Sequence, residues 1–96
     1  MPFPTQEKHA FTEEGIESLG YSRLSGVYGI FGRKVCIYIG AADDIKARLR
    51  EHLSAPRIEA HAPTYFLLGL NPSNGLTQAQ AEFIQEYQPS TQHAKS

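Results

Sequence analysis

A single cysteine, no apolar run of membrane-spanning length and almost no net charge remove several functions from consideration for this 96-residue chain. Cys36 has no partner for an internal disulfide and too few companions for a thiolate metal site. In an apolar, strand-like run it reads as a buried structural thiol. No stretch approaches the ~20 apolar residues that a membrane helix requires, so no membrane association is expected. The start, Met1 to Lys8, lacks the basic stretch and apolar core of a secretory signal, and a cytoplasmic setting is expected. The formal charge of −1 at pH 7 is not that of a protein gripping nucleic acid over its whole surface.

The distribution of charge says more than its sum. Lys8 stands against Glu7, Glu13, Glu14 and Glu17 near the start, and Lys95 against Glu59, Glu82 and Glu86 near the end. Over residues 33–57, Arg33, Lys34, Lys46, Arg48, Arg50 and Arg57 face only Asp43, Asp44 and Glu51. A local cationic face is possible without a basic total. A solvated helix surface would give the same pattern, and charge alone does not choose.

One domain with a modest core fits this length. Residues 1–10 read as a polar arm. Thr12 reads as the N-cap of a short helix over 13–19, with Phe11 and Ile16 bracketing it as a hydrophobic staple. Two β-rich runs follow, Gly26-Val-Tyr-Gly-Ile-Phe31 and Val35-Cys-Ile-Tyr-Ile-Gly40, parted by a short Gly-containing break that predicts an antiparallel hairpin. Asp43 or Asp44 caps a helix to about Leu53, with Ile45, Leu49 and Leu53 as its apolar stripe. Arg48 and His52 border that stripe on one side. Lys46 and Arg50 lie on the other flank and are expected to look outward. An Ala/His/Pro-rich loop over 56–63 leads to Tyr65–Leu70, an apolar run suited to a central strand. The turn cluster Asn71–Gly75 precedes a last helix capped by Thr77, reaching about Tyr87 and closed by Pro89. There are no repeats and no linker.

The ordered set Gly26-Val27-Tyr28, Tyr38-Ile39-Gly40 and Arg48 carries the chemistry. Tyr38 follows Tyr28 by ten positions and Arg48 follows Tyr38 by ten more. Where the phenols point depends on the hairpin loop. A two-residue turn at Gly32-Arg33 sets Tyr28 opposite Ile37 and sends the phenols to opposite faces; a loop with an odd number of residues sets Tyr28 opposite Tyr38 on one face. A shared site needs both on one face.

This set resembles the GIY-YIG nuclease superfamily, named for the two tripeptides. The resemblance runs from about Leu24 to Gln92. It implies an α/β (α+β) domain with a three-stranded antiparallel sheet flanked by helices, and metal-dependent hydrolysis of DNA phosphodiester bonds. The division expected is an arm and short helix over 1–23, the domain over 24–92 and a tail over 93–96, all one folded unit. Tyr28 and Tyr38 are then the site phenols, one of them the general base, with Tyr38 favoured. A phenol is a poor base at its ordinary pKa near 10, so a nearby cation must lower it. Arg48 supplies one and also clamps the phosphate. His52 falls where many members carry histidine, for proton transfer or phosphate contact. Arg33, Lys34, Lys46 and Arg50 are the candidate contacts to flanking DNA, which is expected to bind with low affinity and strong salt sensitivity. A second copy or a protein partner would supply specificity.

The resemblance breaks at Gln80. The family carries there a glutamate that binds one divalent cation, Mg²⁺ or Mn²⁺, and a neutral amide is a poorer ligand for a hard ion. Gln80 shares a helical face with Leu76, Phe83, Ile84 and Tyr87, so it points towards the sheet. It also completes a Thr77-x-x-Gln80 capping box. A second departure is Gln92, where the family usually has asparagine. Natural loss of catalysis, an engineered change and a rearranged site all account for Gln80. The reading of function is an endonuclease domain silenced or impaired at position 80. The alternatives are a nucleic-acid-binding module that keeps the nuclease fold, or an interaction protein that has lost the ligand.

Overall fold

The computed structural model describes residues 8–20, 24–33, 35–70 and 75–89. The turn residues 71–74, the tail from 90 and Lys34 lie outside them. The elements are β1 (His9–Ala10), α1 (Glu13–Glu17), β2 (Gly26–Phe31), β3 (Cys36–Ala42), α2 (Ile45–Leu53), α3 (Pro56–Glu59), β4 (Tyr65–Leu70) and α4 (Leu76–Tyr87). The strands form one antiparallel sheet in the order β1-β4-β2-β3.

The sheet has four strands rather than three. Residues 9 and 10, read as part of a polar arm, pair with Phe66 and Tyr65 of β4. The His9 ring stacks on Phe66 with centroids 5.1 Å apart, and Phe11 is buried beside it. Two residues carry too little periodicity to mark a strand; a partner edge and one stacked ring are enough to make it.

Side-chain alternation along β2 divides the core between the two faces. Tyr28 and Ile30 join Phe66, Leu68, Ile16, Ile45, Leu49 and Ile58 beneath α1 and α2. Val27 and Phe31 join Ile39, Leu67, Ala79 and Phe83 beneath α4. Ile16, Ile45 and Leu49 are fully buried, each stabilising by about 1.5–3 kcal/mol. That burial holds the two helices on the phenol face. Cys36 is buried as expected, and burial pushes its thiol up to about 12.

Local signals set the helix ends. The Thr12 hydroxyl accepts from the Gly15 amide at 3.0 Å, and Asp44 accepts from the Ala47 amide at 3.3 Å. Helix α4 differs from expectation. It starts one residue before Thr77, with Gly75 as its N-cap and no side-chain cap bond. It ends at Gln88 in the left-handed conformation, ahead of Pro89. The 56–63 loop contains α3, because Pro56 can occupy a first helical turn without losing a bond and Ile58 anchors it in the core.

Close approach requires glycine at positions 15, 26 and 40. Gly26 is opposite Leu70, and a Cβ there would run into the backbone of Gly69 and Leu70. Gly40 is opposite Tyr28, and a Cβ there would overlap the phenol ring. Gly40→Ala therefore displaces Tyr28 and should cost about 1–3 kcal/mol. Gly32→Ala meets ordinary contact at 3.4 Å and should stay within about 1 kcal/mol. Urea denaturation of both variants checks the contrast; equal losses would mean that the Tyr28–Gly40 contact has no special role.

Candidate phosphodiester site

The hairpin register brings the phenols together by a route that loop length alone does not show. Tyr28 is opposite Gly40 and Ile30 opposite Tyr38, whereas Phe31 is opposite Cys36. Ile37 is therefore an extra residue on β3, a bulge that shifts the side-chain parity beyond it. Neither expected pairing occurs, yet Tyr28 and Tyr38 share a face, two positions apart along the ladder. Their ring centroids are 6.1 Å apart.

Helix α2 carries His52 onto this pair. Its ring lies 4.7 Å from Tyr38 and 5.7 Å from Tyr28, centroid to centroid. The Tyr28 hydroxyl is 2.8 Å from His52 Nε2. In the neutral imidazole with its proton on Nδ1, Nε2 accepts from the phenol O–H. Arg48, one turn earlier, lies beside the Tyr28 hydroxyl and acts to lower its pKa. It also pairs with Glu51 at 3.6 Å, in an exposed contact worth little in water. The side chain of Arg48 is 48% exposed, so its fork can also meet an incoming anion.

Burial dominates the protonation of the buried members. Tyr28 is fully buried, and desolvation drives its phenol well above the ordinary value. Tyr38 pushes the same way, and Arg48 only partly offsets both. The expectation that a neighbouring cation would lower a site phenol fails for Tyr28, because desolvation of a phenolate outweighs one solvent-facing guanidinium. Tyr28 remains a protonated donor. Burial, followed by the Arg48 charge, lowers the His52 pKa and keeps the ring neutral near pH 7.

Gln80 points towards the sheet, as expected, but not as a capping box. Its amide Nε2 donates to the Ile39 carbonyl at 3.2 Å, gripping the backbone between Tyr38 and Gly40. Helix α4 packs on the opposite face from Tyr28, so Gln80 approaches the YIG segment from behind. Among the described residues no group of three or more His, Cys, Asp and Glu could hold a metal ion. A neutral amide spent as a donor does not fit a hard divalent cation.

The basic residues separate into distinct roles. Lys46, expected to face outward, is 8% exposed, and its ammonium donates to the Gly20 carbonyl after α1. Arg50 pairs with Glu17 of α1. Both join α2 to α1, where the apolar stripe of α2 is too narrow to define the contact alone. Arg33 is exposed at the hairpin tip. Arg57, not singled out from the sequence, borders a cavity of about 210 Å³ with Tyr38, His52, Ala55 and Ile58. The available signal was Pro56, which marks a first helical turn and so fixes the residue after it.

These features are those of a GIY-YIG endonuclease domain fold, and the resemblance carried by the two tripeptides is borne out. The chain is similar to the GIY-YIG N-terminal endonuclease domain of UvrC from Thermotoga maritima in two crystal structures, each a tyrosine-to-phenylalanine point mutant bound to its catalytic divalent cation. Identity is 24% and 25%, with a TM-score of 0.58 for both, covering 84% of this chain and 98% of the neighbour. No protein-family model and no curated protein matches the sequence. No helix among the described residues is long and apolar enough to cross a membrane.

The lowered His52 pKa fixes the sign of a pH effect. An unfolded chain takes up a proton near the ordinary value of 6.5, while the folded chain resists it. Stability is therefore constant above that value and falls as pH drops through it, levelling below the folded pKa. His52→Gln should remove this component. Melting temperatures from about pH 7.5 to 5 should fall less steeply for the variant than for the parent; parallel curves would contradict a buried neutral His52.

Proposed function

We propose that this chain is an endonuclease-type domain that holds a DNA phosphodiester against Arg48, Tyr38 and His52, with the buried Tyr28 fixing His52 from beneath and with metal-dependent cleavage impaired by Gln80. The observation that supports this most directly is the convergence of two phenols, an imidazole and an exposed guanidinium on one sheet face. Arg48 offers a planar fork to the phosphate oxygens. Tyr28, kept protonated by burial, gives its one O–H to His52 and does not serve as the base. Tyr38, half-buried at the edge of the cluster, is then the phenol for orienting or activating water, with His52 as the neighbouring proton carrier.

A divalent cation, bound to both Thermotoga domains, would supply charge stabilisation at the phosphate. The Gln80 amide here makes the opposite kind of contact, donating to Ile39. A carboxylate at 80 would set acceptor against acceptor unless a cation lay between or beside them. A silent domain that binds DNA without cutting is the second reading, favoured by this same bond. Lys46 and Arg50 are engaged with α1, so few cations remain for flanking phosphates, and affinity should be low and salt-sensitive. A second copy or a protein partner would supply specificity, in a cytoplasmic setting.

Gln80→Glu is the deciding variant. It should lose about 1–3 kcal/mol in metal-free buffer through the unsatisfied Ile39 contact, and recover with Mg²⁺ or Mn²⁺ by linkage. Plasmid nicking should appear with the metal. A variant that is stable without metal, indifferent to it and inert on DNA would leave Gln80 a structural residue and the chain a binding domain. In parallel, Arg48→Ala should weaken DNA binding by about 1.5–3 kcal/mol, while Arg33→Ala should change it little. Equal effects would remove Arg48 from the site.

A further inference from the structure

Resting on the phosphodiester reading above, we infer that the cavity formed by Tyr38, His52, Ala55, Arg57 and Ile58 is a subsite for one unpaired nucleotide next to the phosphate at Arg48. The substrate class is thereby single-stranded or locally unpaired nucleic acid rather than continuous duplex.

Three properties of the cavity define its ligand. Its volume of about 210 Å³ is below the ~300 Å³ at which drug-sized pockets begin, leaving room for a single ring system. Its walls combine two aromatic rings, Tyr38 and His52, with the apolar Ala55 and Ile58, so the ligand must present a flat, weakly polar face. Its one charged lining residue is Arg57, and no carboxylate borders it. A nucleotide, a flat ring joined to an anion, meets these requirements. A bare phosphate would leave the apolar walls unused, and an acidic side chain would leave the rings unused.

A second opening, beside Arg48, runs the other way in charge. It is lined by Ala41, Ala42, Asp43, Asp44, Ala47 and Arg48, and its two aspartates disfavour a second phosphate. A strand held at Arg48 is therefore drawn along the Tyr38–His52 side, towards Arg57. The pairing state follows from energetics. A base inside a duplex must be unstacked before it can enter, at a few kcal/mol. A chain of net charge −1 gains little from counterion release to offset that cost. An already unpaired base avoids it.

Fluorescence anisotropy with the full chain tests this, using a labelled 12-nucleotide single strand and the same sequence as duplex. The single strand should bind about ten-fold tighter or more, and 2-aminopurine within it should be quenched by stacking. Ala55→Leu, which fills the cavity, should weaken the single strand about ten-fold and leave the duplex unchanged. Arg57→Gln should reduce the single-strand salt slope by about 0.7. Thermal melting establishes that each variant folds; if Ala55→Leu does not, the exposed Arg57 variant and the quenching decide. Duplex binding as tight as the single strand, no measurable single-strand binding, or filled-cavity and Arg57 variants that behave as the parent would each overturn the subsite. Arg48→Ala separates the two proposals. If it leaves both affinities unchanged, the phosphodiester reading fails; if it weakens both while the cavity variants do nothing, only the subsite fails.

Discussion

The ring of Tyr28 lies on Gly40, and its hydroxyl meets His52. That one side chain joins the core to the site. It is fully buried, so its position is set by packing; its oxygen is 2.8 Å from His52 Nε2, so the packing is transmitted to an imidazole and, through Arg48, to the surface. A side chain at position 40 would occupy the ring's place. The bulge at Ile37 sets the parity that brings Tyr38 to the same face. Gly26 permits β4 to close against the start of β2. The two tripeptides are therefore packing constraints first, and they arrange the reactive groups as a consequence.

Electrostatics divides the same residues by role. Desolvation dominates at Tyr28 and His52, holding the phenol protonated and the imidazole neutral. Arg48 remains in water and keeps its fork available. Lys46 and Arg50 stand two positions either side of Arg48, yet they serve the α1–α2 junction. Gln80 provides a further hold on the YIG segment from the opposite face. An amide suits that task, because it can donate to a carbonyl where an ionised carboxylate cannot.

Much of this was legible in the sequence, and the exceptions have physical causes. The hairpin, α2 and α4 follow from periodicity, and the Thr12 cap and staple from local chemistry. The shared phenol face was legible only as a requirement, since a bulge changes parity without changing composition. β1 and α3 were missed because each is too short to show a period and exists through tertiary contact. Lys46 was misplaced because the helical wheel put it beside the apolar stripe, and only the carbonyl of Gly20 made burial tolerable. The capping box at Thr77 matched a local pattern, but Ile39 of β3 offered Gln80 a better acceptor. Lys34 lies outside the described residues.

Tyr28 couples core and site through its bond to His52. A double-mutant cycle with Tyr28→Phe and His52→Leu, read by urea denaturation at pH 7.5, tests it most directly. The expected coupling free energy is about 1 kcal/mol or more, because each single change leaves a buried polar partner unsatisfied and the double change does not. Additive losses, with a coupling within about 0.3 kcal/mol of zero, would mean that the two residues only pack as neighbours and that the site is not held by the core.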